Sequence, residues 1–118
     1  MTFRDRLRPD GVLFMAVPDM RHTFDRSRPL TTLDHLVADH IDGPDRSRRG
    51  HYEEYVRHVA DLSGADGEAL VERLLQSKYS IHFHTFTPAS LGRLYDHCQL
   101  ELTASLSHDD EVITVVRT

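Results

Sequence analysis

The stretch Gly11-Val12-Leu13-Phe14-Met15-Ala16-Val17-Pro18 decides how this chain is read. Six apolar residues follow one another between a Pro9-Asp10-Gly11 turn and a proline. A run of that length suits a strand, and no polar residue interrupts it to mark a wet face. Inner strands of parallel sheets, covered on both sides, read in this way. The expectation is a buried parallel strand and an α/β fold.

Upstream, Phe3 and Leu7 lie four apart, so Thr2 to Arg8 reads as the end of an amphipathic helix. Downstream, Asp19 to Leu30 is polar, rich in arginine and broken by proline, which predicts a loop. Thr31 or Thr32 is placed to cap a helix carrying Leu33, Leu36, Val37, His40 and Ile41, ended by Gly43-Pro44. Asp45 to Gly50 reads as a charged connector containing Arg46, Arg48 and Arg49. Tyr52, Tyr55, Val56, Val59 and Leu62 form a second stripe. Leu70, Val71, Leu74 and Leu75 form a third, with Asp66 as its cap. Residues 31–78 are therefore expected to be a helical insertion within a single domain spanning 1–118.

Tyr79 to Phe86 alternates and is aromatic, which predicts a strand or an extended segment. Thr87 caps and Pro88 opens the next helix, lined by Leu91, Leu94, Tyr95 and Cys98. Leu100, Leu102, Ala104 and Leu106 alternate with polar residues, as in a half-buried strand. Val112 to Val116 is β-branched and reads as its antiparallel partner across the turn at Ser107 to Asp110.

Composition narrows the function classes. The chain has 118 residues and a net charge of −5, which gives no electrostatic basis for nucleic-acid binding. Nine arginines from Arg4 to Arg49 nevertheless lie in the first 50 residues, so that half suits an anionic ligand. One cysteine, Cys98, allows no internal disulfide. No apolar run reaches membrane-spanning length, and the first ten residues have no signal-peptide core. A cytoplasmic location is expected, with neither nucleic acid nor membrane as partner.

Three segments resemble, in order, class I S-adenosylmethionine-dependent methyltransferases with a Rossmann-like fold. Leu7-Arg8-Pro9-Asp10-Gly11 resembles the L-x-P-G-G turn before their fifth strand, with Asp10 in place of a glycine. Val17-Pro18-Asp19-Met20-Arg21-His22-Thr23-Phe24-Asp25 resembles the V-P-D-K-R-x-T-F-D segment of a bacterial subgroup, with Met20 replacing lysine. His82-Phe83-His84-Thr85-Phe86-Thr87-Pro88 resembles the approach to the last helix of that subgroup. The resemblance runs over nearly the whole chain and implies the C-terminal half of the fold. That half has one buried parallel strand, a helical insertion, and a closing antiparallel pair matching the sixth and seventh strands. The parent reaction is methyl transfer from S-adenosylmethionine.

The half that holds the cofactor is not represented. It needs a glycine-rich turn after a strand and an acidic residue after the next. None of Gly11, Gly43, Gly50, Gly64, Gly67 or Gly92 meets that requirement, because Gly64-Ala65-Asp66-Gly67 joins two helices. The chain is therefore expected to be an inactive, truncated transferase, with no cofactor-binding residue of its own. The alternatives are a non-catalytic binding or assembly module and one subunit of a split methyltransferase. The buried strand would be left short of cover, which predicts a homodimer or pairing with the missing half.

Substrate-binding residues are expected at the C-terminal end of the apolar strand, where open α/β sheets hold ligands. Asp19, Arg21, His22 and Asp25 follow that end, with Arg21 suited to an anion and His22 to proton transfer. His82 and His84, two apart on an extended segment, should face one side and join them. Such a pair also suits Zn²⁺, which takes four ligands in structural sites. His35 with Asp39, or Glu54 with His58, would add ligands from helices. Nothing in the spacing brings these to the pair, so both histidines are assigned to the substrate pocket and no metal site is expected.

Overall fold

A computed structural model describes residues 3–118; Thr2, at the start of the expected first helix, lies outside them. Arg4–Arg6 form only a 3₁₀ turn in place of that helix. Asp10 then takes a left-handed conformation (φ 61°), which aspartate tolerates where the resembled turn has glycine. At Gly11 a Cβ would come within 2.7 Å of the Arg8 carbonyl oxygen, so this side of the turn admits only glycine.

The apolar run forms β1 (Val12–Pro18). Three helices follow: α1 (Leu33–Asp42), α2 (Asp45–His58) and α3 (Gly64–Ser77). Thr32 caps α1 through the amide of His35. α2 starts at Asp45, seven residues before the tyrosine stripe begins at Tyr52. The expected connector is its first turns, and arginine–carboxylate pairs satisfy it: Arg46 with Asp42, Arg48 with Asp45, and Arg49 with Glu72. α3 begins at Gly64 after Ser63, two residues ahead of the expected Asp66 cap.

Residues 79–86 do not form a strand. They make one parallel bridge, Asp19 with Phe86, backed by the Met20 amide donating to the Phe86 carbonyl at 2.9 Å. α4 (Pro88–His97) opens as expected, with Thr87 and Ser90 in a reciprocal cap and Pro88 at its first turn. β2 (Glu101–His108) and β3 (Glu111–Arg117) close the chain as an antiparallel hairpin.

The sheet order is β1-β3-β2, and every pairing between strands is antiparallel. This corrects the expectation of a buried parallel strand. Among the described residues no strand pairs with the outer edge of β1, and its inner neighbour is the returning β3. Nor is β1 covered on both faces. Leu13, Met15 and Val17 pack with Val112, Val116, Leu91 and Tyr95 beneath α4. Val12 and Phe14 point the other way and are 59% and 64% exposed.

β2 departs from the half-buried strand expected, being exposed along its length. A bulge between Leu102 and Ala104 breaks its alternation. Leu102 stands opposite Val116 on the α4 side, whereas Ala104 and Leu106 stand opposite Val115 and Ile113 on the open side. That open side thus carries Val12, Phe14, Ala16, Ile113, Val115, Ala104 and Leu106, with no helix over it among the described residues.

There are two hydrophobic cores. One is α4 against the sheet; the other joins Tyr52 and Val56 of α2 to Val71 and Leu74 of α3. The segment 81–86 links them, with Ile81 and Phe83 packed on the helical core and Phe86 on the sheet core. The molecule is correspondingly long, 52 × 31 × 22 Å. Its Cα radius of gyration is 15.9 Å, against about 13.5 Å for a compact domain of this length. No helix is long and apolar enough to cross a membrane among the described residues.

Leu91, 1% exposed, is the centre of the sheet core. Leu91→Ala should cost about 2–5 kcal/mol in urea unfolding, and Thr87→Ala, which removes only the cap, about 1 kcal/mol.

Candidate functional site

The loop after β1 is built from two 3₁₀ turns, Met20–His22 and Phe24–Ser27. Asp19 caps the first through the Arg21 amide, and Thr23 caps the second through the Asp25 amide. The backbone is thereby folded tightly against the end of the sheet, and Asp19 and Asp25 are both 1% exposed.

Arg21 turns back on Asp19 in a two-pronged contact, Nε to Oδ1 at 3.0 Å and Nη2 to Oδ2 at 2.7 Å. Its charge is therefore engaged within the loop. Those hydrogen bonds hold the Asp19 carboxyl below its ordinary range against the opposing effect of burial.

Asp25 is shared. Arg28 donates to its Oδ1 at 2.7 Å, and His82 Nδ1 lies 2.7 Å from its Oδ2. The His82 ring also stacks on Phe24, with centroids 5.0 Å apart. When Nδ1–H donates to the carboxylate, Nε2 carries the lone pair, which is the arrangement of an oriented proton acceptor. A cavity of about 430 Å³ lies beside this pair, lined by Pro18, His22, Thr23, Phe24, His82, Asp110 and Glu111. Asp19, Arg21, His22, Asp25 and His82 thus gather at the C-terminal end of β1, with His22 and His82 on the cavity.

His84 does not join them. Two residues beyond His82, it lies in a different cluster with His35 and Asp39 of α1 and His51 of α2. The single oxygen Asp39 Oδ2 is approached by His84 Nε2 at 2.8 Å, His35 Nε2 at 3.1 Å, Ser47 Oγ at 2.9 Å and His51 Nε2 at 3.6 Å. The expectation that His82 and His84 face one pocket fails because residues 80–84 are not a regular strand, so two-residue alternation does not govern them.

Burial works against charge on Asp39. Hydrogen bonds from His84 and Ser47 and the nearby histidines more than offset it, lowering the carboxyl to about 2. His51 is lowered by burial and by the neighbouring His84 and His35, which favours the neutral ring. It is 4% exposed and stacks on Phe83, 5.3 Å away at 9°.

Two participants were not expected from the sequence. Arg28 has no exposed side-chain surface. It reaches Asp25, Glu54 at 2.9 Å, and the carbonyls of His82 and Phe83 at 2.5 and 2.8 Å. Its signal was the Asp25–Arg28 spacing of three. His51 fell between the supposed connector, which ended at Gly50, and the stripe that began at Tyr52. Extending the helix back through Asp45 puts it four residues before Tyr55, on the inward stripe.

The resemblance implies S-adenosylmethionine, whose glycine-rich turn after a strand is not found among the described residues. The turn after β1 contains no glycine, and Gly64 and Gly67 lie at the start of α3, after a helix. Comparison with known proteins adds no relative: no family model, curated protein or solved structure matches the chain.

Arg28→Ala leaves Asp25 buried without its cation and should cost about 3–5 kcal/mol in urea unfolding. The Asp19 contribution to stability should be whole above the ordinary aspartate pKa of 3.8 and be lost as pH falls below it. Asp19→Asn should flatten that part of an acid-unfolding curve.

Proposed function

We propose that this chain is the acceptor-side, C-terminal half of a Rossmann-like methyltransferase unit in the cytoplasm, inactive by itself. The observation that carries the reading is the meeting of the two resembled segments, Val17 to Asp25 and His82 to Pro88. They lie far apart in sequence, yet touch through the Asp19–Phe86 bridge and the Asp25–His82 contact. Both lie at the C-terminal end of β1, which would be the ligand-binding edge of the parallel sheet that the resemblance implies. In this reading the cavity beside His82 takes the methyl acceptor. His82, oriented by Asp25, accepts a proton from it, and His22 helps to line the acceptor site.

The cofactor-binding half belongs on the outer edge and open face of β1. An edge with unpaired backbone groups accepts another strand, and an apolar face of this kind calls for a covering helix. Without that half, two copies of the chain cover each other's open faces as a homodimer. A non-catalytic assembly module would use the same face but would have no need of the Asp25–His82 pair.

Calorimetric titration of the chain with S-adenosylmethionine should give no dissociation constant tighter than about 10 μM, equivalent to about −7 kcal/mol. Tighter binding would overturn the half-enzyme reading. Light scattering over a concentration series should show a dimer, and Phe14→Glu, on the open face, should shift it to monomer. A strictly monomeric wild type would rule out the dimer.

A further inference from the structure

We propose that His35, Asp39, His51 and His84 form a four-ligand site for a divalent transition ion, Zn²⁺ by preference. It is separate from the cavity beside His82 and independent of any methyl-transfer role. Three different parts of the chain supply the ligands: α1 gives His35 and Asp39, α2 gives His51, and the segment before α4 gives His84. All four offer one ligand atom each within a sphere where no pair is more than 4.8 Å apart.

Four of the six ligand-to-ligand distances are near those of a tetrahedron. Zinc bonds of about 2.0–2.1 Å to nitrogen and oxygen put tetrahedral ligand atoms about 3.3 Å apart. Here Nε2 of His35 and Nε2 of His51 are 3.3 Å apart, and Asp39 Oδ2 lies 3.1, 3.6 and 2.8 Å from Nε2 of His35, His51 and His84. The rings themselves are spaced as ligands radiating from one point. Three imidazoles bound through Nε2 to one zinc have centroids about 5.2 Å apart, and these lie 5.0, 5.2 and 5.7 Å apart at mutual tilts of 59°, 82° and 78°. Stacking would have made them parallel.

The chemistry of the set points the same way. Three imidazoles and one carboxylate suit zinc, whose structural sites are closed by four protein ligands. Two Nε2 atoms face each other, and three rings and a hydroxyl crowd one carboxylate oxygen. A pure hydrogen-bonded network would need several protons directed at that single oxygen. A cation at the centre takes all three nitrogen lone pairs and the carboxylate charge together, while Ser47 holds the carboxylate from outside. His35 and His84 remain partly exposed, with side chains 39% and 27% accessible, so an ion has a way in. Bound there, it pins the helical insertion to the segment that carries His82.

The test uses the full chain, freed of any purification tag and stripped with a chelator. Zn²⁺ titration should give one ion per chain with a submicromolar dissociation constant and raise the thermal midpoint. Co²⁺ should give the intense visible bands of tetrahedral coordination. His35→Ala, His84→Ala and the near-isosteric Asp39→Asn should each weaken Zn²⁺ by at least about 100-fold, the upper end of the loss seen when supporting groups are removed. His108→Ala, on the exposed hairpin, should leave binding unchanged. Circular dichroism checks that each variant is folded. Absence of binding tighter than about 10 μM would overturn the site. So would unchanged affinity in folded His84→Ala or Asp39→Asn, or weak octahedral Co²⁺ bands.

Discussion

The buried Arg28 guanidinium is the interaction on which the rest of the architecture depends. It belongs to the loop after β1, yet its partners lie in that loop, in α2 and in the segment before α4. Of these, α2 belongs to the helical core and the segment before α4 bridges the two cores. A planar cation with five donors satisfies two carboxylates and two carbonyls at once, which a lysine with one compact ammonium does not match. A buried charge is tolerated only with such saturation. Among the described residues no buried side-chain polar atom lacks a partner. Thr31 and Thr85 reinforce the same junction by exchanging amide-to-hydroxyl bonds at 2.8 and 2.9 Å. The loop is therefore rigid where a polar, arginine-rich stretch suggested solvent, and that rigidity orients His82.

The sheet is the less finished part of the molecule. α4 covers one face, and Tyr95 bonds the buried Thr114 hydroxyl at 2.6 Å beneath it. The opposite face has apolar residues on all three strands, and no helix covers it among the described residues. Two small cores joined by a bridge, and a length of 52 Å, describe a chain whose folding leaves apolar surface for another body.

The histidines divide according to the backbone that carries them. His82 and His84 stand two apart, but the segment between Tyr79 and Phe86 twists between two cores. One ring meets Asp25 and Phe24, the other the Asp39 cluster. Phe83, between them, packs into the helical core and stacks on His51. Its anchoring separates the two imidazoles, so one short segment supplies a histidine to each of two clusters.

By itself the sequence determined the elements whose cause is local. The three-helix insertion, the Thr87-Pro88 start of α4, the final hairpin and the strand at Val12 all follow from periodicity, caps and β-branched runs that neighbours in the chain impose. It also marked Asp19, Asp25 and His82 as residues meeting at a strand end. Tertiary structure alone decided the rest. An unbroken apolar run says that both faces of β1 want cover, but not whether cover is supplied within the chain, so its exposed face and antiparallel neighbour were not legible. The bulge after Leu102 disguised an exposed strand as a half-buried one. Arg28 and His51 acquire their roles only when helices distant in sequence close around them. The direction of a polar side chain in a non-repeating segment is set by what packs beside it, and no spacing rule encodes that.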